Sequence, residues 1–192
     1  MTSAILLVRH GESTWNAEHR WAGQADPPLT AAGRVGARRL GERLTGHGIT
    51  GVASSDLRRA AVTAEIASAQ LAIGPVHIDL RLRERRCDAW SGRTSAEIER
   101  SHPGLLARWR RGDLRDLPAP SEPWHQFRDR VVAVLTALAS AGDPWLVVAH
   151  AGVFRVVEAE CGVEHRRMGN LDGLWLRSSS GRLVADAAGT AP

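Results

Sequence analysis

Two apolar runs near opposite ends of the chain, each halted by a histidine, constrain the fold more than any other feature. Ala4-Ile5-Leu6-Leu7-Val8 stops at Arg9-His10-Gly11, and Trp145-Leu146-Val147-Val148-Ala149 stops at His150-Ala151-Gly152. Unbroken runs of this length, without polar alternation, are the pattern of strands covered on both faces, as in a parallel sheet flanked by helices. Each run then delivers a histidine and a glycine to a strand's C-terminal end, where open α/β sheets build their sites.

The intervening sequence supplies the helices. Apolar or small residues at Val35, Gly36, Leu40 and Leu44 predict a helix from Thr30, closed by Gly46 and Gly48. Gly51-Val52-Ala53-Ser54 reads as a short strand, and Ser55 as the N-cap of a helix with Leu57, Ala60, Ala61, Ala64 and Ala67 inward, ended by Gly74-Pro75. Val76-His77-Ile78 predicts another short strand, and the charged, aperiodic stretch from Leu80 to Gly92 a loop. Thr94 and Glu97 have capping-box spacing for a short helix that Pro103 interrupts. Residues 112–123, rich in Pro and Asp, are the least ordered-looking segment. Phe127, Val131, Val134, Leu135 and Leu138 mark an amphipathic helix, and Val153, Val156 and Val157 another. An edge pair near Leu174-Trp175-Leu176 and Arg182-Leu183-Val184 closes the pattern, with a frayed tail after Ala187. Strands alternating with helices predict an α/β fold, a three-layer α/β/α sandwich with a mostly parallel central sheet, as one domain over residues 1–192.

The charge balance carries a second message. All 25 basic residues are arginine, against 21 acids, and they lie along the whole chain interleaved with acids, as in Arg38-Arg39-Leu40-Gly41-Glu42-Arg43. That is a solvated helix surface, so no nucleic-acid partner is expected. Cys87 and Cys161 lie far apart in no ligand pattern and read as packed, reduced thiols; no His, Asp or Glu cluster has metal-ligand spacing, so neither metal nor cofactor is expected. The first apolar run is too short for a signal or membrane helix, so the expectation is a cytoplasmic protein with no membrane partner. Seven tryptophans with no tyrosine leave room for an aromatic interface, hence for a homodimer.

Arg9-His10-Gly11-Glu12-Ser13-Thr14 carries the strongest chemical signal. An imidazole on a rigid strand end can attack phosphorus without first losing a proton, a guanidinium beside it can hold phosphoryl oxygens, and glycine lets a phosphate approach the backbone. Alone, Arg9-His10-Gly11 reads better as a surface histidine at a strand end.

It is not alone. Leu7-Val8-Arg9-His10-Gly11-Glu12-Ser13-Thr14-Trp15-Asn16, Pro28-Leu29-Thr30-Ala31-Ala32-Gly33, Ser55-Asp56-Leu57-Arg58-Arg59-Ala60 with Thr63-Ala64, Leu82-Arg83-Glu84 with Trp90 and Gly92, and Val147-Val148-Ala149-His150-Ala151-Gly152-Val153 form five ordered motifs. Together they resemble the histidine phosphatase superfamily, in its phosphoglycerate mutase-like branch and its small phosphatase type. The resemblance implies His10 as the nucleophile, with Arg9, Arg59 and His150 clamping the phosphoryl oxygens and Glu84 as the proton donor. Arg58 competes with Arg59 for the binding role, since the pattern selects the arginine directly before Ala60. Asn16, Gln24, Arg58 and Ala151 are candidate substrate contacts, although Asn16 and Gln24 could equally cap loops.

Glu84 has an alternative reading as a mere partner of Arg83, Arg85 or Arg86, in which case Glu12 and Asp88 are the next candidate acids. The chain departs from the family pattern with Asp88 and Ala151 at places often held by glycine, and with Ser121-Glu122-Pro123 where Gly-Glu-Ser is common. The expected function is a phosphomonoesterase acting on a small phosphate ester. A mutase, which returns the phosphoryl group to another hydroxyl, and a catalytically silent phospho-ligand binding module are the alternatives.

Overall fold

The computed structural model describes residues 4–113, 117–164 and 168–190. The chain opens with β1 (Ala4–Arg9), α1 (Thr14–Ala17), α2 (Ala31–Leu44), β2 (Gly51–Ser54), α3 (Arg58–Leu71) and β3 (His77–Ile78). It continues through α4 (Ser95–Ser101), α5 (Leu105–Arg110), α6 (Trp124–Ala139), β4 (Trp145–Ala149), α7 (Ala151–Cys161), β5 (Gly173–Ser179) and β6 (Arg182–Thr190). The strands form one sheet in the order β3-β2-β4-β1-β5-β6. β3, β2, β4 and β1 run parallel; β5 and β6 extend the sheet antiparallel.

The two unbroken apolar strands lie side by side at its centre and are buried on both faces. Leu6, Val8, Leu146 and Val148 point to one face, where Leu40 and Leu44 of α2 and Ala60, Ala64 and Ala67 of α3 cover them. Ile5, Leu7, Val147 and Ala149 point to the other, under Phe127, Val131 and Leu135 of α6 and Val153 and Val157 of α7. This is the three-layer sandwich that the sequence predicts. A smaller cluster of Cys87, Trp90, Ile98 and Leu106 forms a separate annex beneath α4 and α5.

Local rules account for most boundaries. Thr30 caps α2 by accepting from the Gly33 N–H, and Thr94 and Glu97 form the expected capping box at α4. Four expectations need correction. Val35 is 51% exposed, because α2 turns Gly33, Ala37 and Gly41 inward instead; a Cβ on Gly41 would meet Ala67 O at 2.8 Å, so the α2–α3 contact requires a bare backbone. Ser55 does not cap α3: Leu57 is the N-cap, and the Asp26 carboxylate accepts the Arg58 N–H. The stretch from Leu80 to Gly92 contains two 3-10 turns, Leu80–Leu82 and Asp88–Trp90. The edge pair forms as β5 and β6, but the tail expected to fray continues as β6 past Ala187 to Thr190, paired there with Leu174. Residues 114–116 of the segment expected to be least ordered lie outside the described residues.

Candidate active site

The parallel register of β1 and β4 pairs Arg9 with Ala149, so the next residue of each strand, His10 and His150, emerges at the same level. Their ring centroids are 5.2 Å apart, and both side chains are buried. His10 Nδ1 lies 2.7 Å from the Gly11 carbonyl oxygen. A carbonyl only accepts, so Nδ1 carries the proton and Nε2 keeps its lone pair. Facing that lone pair is Arg59 Nε at 3.2 Å. Burial above all, then the charges of Arg59 and Arg9, hold the His10 imidazole well below its ordinary pKa, so it is neutral at pH 7.

Arg59 is a buried cation anchored from behind. Its Nη1 and Nη2 donate to the carbonyls of Ala25 and Gly23 at 2.7 and 2.8 Å, and desolvation lowers its pKa to about 10, still charged at neutral pH. Arg9 donates from Nη1 to Met168 O at 2.6 Å. His150 is wholly buried, with its pKa lowered by burial first and then by Arg59 and its neighbours. Its Nε2 lies 2.7 Å from Ser55 Oγ, whereas Nδ1 is buried with no hydrogen-bond partner among the described residues. The buried Ser55 hydroxyl needs an acceptor for its proton, and Nε2 is the one in reach, which leaves the Nδ1–H as an unused donor.

Glu84 approaches from the opposite side, at the N-terminus of α7. Its Oε1 accepts from the Arg85 N–H at 2.7 Å and its Oε2 from the Gly152 N–H at 3.0 Å. A Cβ on Gly152 would lie 2.0 Å from Oε1, so only glycine admits the carboxylate there. The neighbouring arginines point elsewhere: Arg83 to Asp56, Arg86 to Asp88, and Arg85 Nε to Glu122 O. Of the three, Arg85 attracts the Glu84 carboxylate electrostatically.

These groups open into a cavity of about 750 Å³ lined by Arg9, His10, Asn16, Arg59, Glu84 and Ala151, among others. The size suits a small organic phosphate. Among the described residues, no group of three or more His, Cys, Asp or Glu side chains is placed to hold a metal ion.

The sequence profile of the histidine phosphatase superfamily (branch 1) matches residues 5–172. The chain belongs to this superfamily. A glucosyl-3-phosphoglycerate phosphatase of Mycolicibacterium vanbaalenii is 33% identical over 164 residues, covering 81% of this chain and 72% of the relative. Phosphoglycerate mutase-like protein 4 of Arabidopsis thaliana is 36% identical over 156 residues, covering 79% of this chain and 67% of the relative. A mycobacterial glucosyl-3-phosphoglycerate phosphatase in complex with VO3 superimposes with a TM-score of 0.88 at 28% identity, over 98% of this chain and all of that one. YhfR of Bacillus stearothermophilus gives 0.85 at 28% identity, with 98% of each chain covered.

In this histidine phosphatase Arg9, His10, Asn16, Arg59, Glu84 and Ala151 line the cavity, His150 packs against His10 without lining it, and two of the expected residues stand apart. Arg58 is exposed in the first turn of α3 and does not line the cavity. Gln24 does not line it either; its Nε2 donates to the Glu84 carbonyl at 3.0 Å and braces that segment. Asp88 is exposed on Arg86, outside the lining, whereas Glu12 lines the cavity with Oε1 held by Thr30.

Sequence reasoning missed Ser55, Asn170 and Arg130. Asn170 Nδ2 donates to His10 O and to Asn16 Oδ1. Arg130 grips Glu122 with two nitrogens and donates to the carbonyls of Arg81, Arg83 and Glu84, so the surviving acid of Ser121-Glu122-Pro123 braces the Glu84 segment. Only Ser55 stood inside a quoted motif, and local rules had assigned it to a helix cap.

Proposed function

We propose that this histidine phosphatase hydrolyses small phosphate monoesters through a phosphoryl group carried on His10 Nε2. The observation that carries the reading is the His10 ring itself: neutral, with its Nδ1 proton fixed on Gly11 O and its Nε2 lone pair facing the cavity. In the first step Nε2 bonds to phosphorus and the ester P–O bond breaks. The Arg59 Nε–H leaves the nitrogen lone pair for a phosphoryl oxygen, and Arg9 and the His150 Nδ1–H take others. Glu84 gives its proton to the departing alkoxide. The resulting carboxylate then takes a proton from water, hydroxide attacks phosphorus, and the N–P bond breaks to release inorganic phosphate and neutral His10. No step needs a metal ion, because the guanidinium groups supply the positive charge. The phosphatase relatives support hydrolysis over return of the phosphoryl group to a second hydroxyl.

The test is His10→Ala. Wild type releases phosphate from p-nitrophenyl phosphate and, quenched during turnover, carries an acid-labile phosphoryl group on His10. The variant does neither while keeping its thermal transition. Turnover by a folded His10→Ala protein would sink the mechanism.

A further inference from the structure

Residues 83–86, which carry Glu84 between the two 3-10 turns, belong to no helix or strand, so no periodic hydrogen bonding fixes the main chain that presents the carboxylate. One guanidinium takes that part. Arg130 stands on α6 beside Val131 and one turn past Phe127, both fully buried in the core under the sheet. Its Nε and Nη2 donate to Glu122 Oε1 and Oε2 at 2.7 and 2.8 Å. Its Nη1 donates to the carbonyls of Arg81 and Arg83 at 2.6 and 2.8 Å, and Nη2 gives its other proton to the Glu84 carbonyl at 3.2 Å. No donor of the planar fork is left over.

Glu122 completes the grip from the other side. Its N–H donates to Arg86 O at 2.9 Å, its Oε2 accepts from the Arg86 N–H at 3.3 Å, and its carbonyl accepts from Arg85 Nε at 2.9 Å. The pair therefore holds the chain both before and after Glu84. The far end of the Glu84 side chain is tied to α7 through the Gly152 N–H. Phe127 joins the two ties: the Arg130 guanidinium lies 4.7 Å over its ring, and its Cζ would stand 3.2 Å from a Cβ on Gly152. Through these contacts α6 sets the distance between the main chain of Glu84 and the helix terminus that receives its carboxylate. Neither Arg130 nor Glu122 lines the cavity, so neither touches substrate. The charge of Arg130 does reach the site, where it helps to hold His150 below its ordinary pKa, so an effect of charge has to be separated from one of shape.

We propose that Arg130 and Glu122 are positioning residues for the proton donor, and that the help given to the leaving group depends on the shape of the Arg130 fork rather than on its charge. This role rests on the phosphomonoesterase reading with Glu84 as the acid. Lysine in place of Arg130 keeps the charge, but a compact ammonium cannot hold both Glu122 oxygens and three carbonyls in one plane. Residues 83–86 then shift while Gly152 stays, and the carboxylate no longer meets the departing oxygen.

The experiment measures kcat/KM of wild type, Arg130→Lys, Glu84→Gln and the double variant on glycerol 3-phosphate and p-nitrophenyl phosphate, with thermal unfolding of each protein. Arg130→Lys slows the alkyl ester about 100-fold, as for about an ångström of misplacement, whereas the aryl ester, which asks for no proton, keeps most of its rate. In the double variant the two losses do not multiply. An equal loss on both esters, or losses that multiply, makes the pair a structural clamp and overturns the inference. A wild-type rate in Arg130→Lys leaves charge alone at work and overturns it too. Should Arg130→Lys fail to fold, Glu122→Gln, which turns one accepting oxygen into a donor facing the fork, is judged by the same ratio. A selective loss in Glu84→Gln with none in Arg130→Lys overturns only the positioning role. No selective loss in Glu84→Gln overturns the proton-donor reading beneath it, and failure of wild type to release phosphate from either ester overturns the phosphatase reading itself.

Discussion

Replacing Gly152 with alanine separates the chemistry of Glu84 from the stability of the fold. The new methyl would sit 2.0 Å from Glu84 Oε1 and 3.2 Å from Phe127 Cζ, against 3.4 Å for an ordinary contact. The carboxylate is the end of a flexible side chain, so it moves and α7 stays. It must retreat by more than an ångström, and it loses the Gly152 N–H. The thermodynamic cost is the lost charge-assisted bond, about 1.5–3 kcal/mol, offset by about 1 kcal/mol for alanine over glycine in a helix. The net, under about 2 kcal/mol, lowers Tm by less than about 8 °C for a chain of this size. The catalytic cost is larger, since an ångström of misplacement costs about 100-fold. kcat/KM on an alkyl ester such as glycerol 3-phosphate therefore falls about 100-fold, and on p-nitrophenyl phosphate, whose phenolate leaves without a proton, far less. Glu84→Gln gives the same selective pattern, and the double variant is no worse than the poorer single one. Equal losses on both esters, or Gly152→Ala effects that add to those of Glu84→Gln, would refute the proton-donor role.

Ser55→Ala removes the hydroxyl that fixes the His150 tautomer; kcat falls at least about tenfold, as for a lost transition-state donor, and ring ¹⁵N shifts show proton density moving from Nδ1 to Nε2. An unchanged tautomer refutes the assignment. Prolonged dialysis against EDTA leaves kcat/KM on p-nitrophenyl phosphate unchanged; restoration of a lost rate by added magnesium or zinc refutes it. Because His10 and His150 have lowered folded pKa values, the unfolded chain binds more protons once pH falls toward 6.5. Unfolding free energy measured in urea therefore declines from about pH 7 to about pH 5, by up to about 1.4 kcal/mol per pH unit for each histidine, and His10→Ala shallows the slope.

The sheet centre was legible because β1 and β4 are buried on both faces and so carry no alternation to misread. The phosphoryl end of the site was legible for the same reason, since strand ends placed His10 and His150 before any contact was known. What escaped depends on partners distant in sequence. Ser55 obeys the local rule for a helix cap, yet a histidine 95 positions away takes its side chain, and Asp26 takes over the cap. Arg58 sits beside Arg59 in sequence, but a helix turns neighbours about 100° apart and sends Arg58 outward. Four of the seven tryptophans, Trp21, Trp90, Trp109 and Trp124, stand in the cavity wall, where no periodicity announces them.

The pairing of β1 with β4 has a consequence for how activity is acquired. The nucleophile and its partner histidine come from opposite ends of the chain, and nothing local holds them at 5.2 Å except two adjacent strands in register. The first half of the polypeptide carries Arg9, His10, Arg59 and Glu84, and His150 reaches them only through that pairing. Catalysis switches on only when this long-range pairing has closed, so the first phosphate released by a refolding chain reports that its centre, rather than its periphery, is in place.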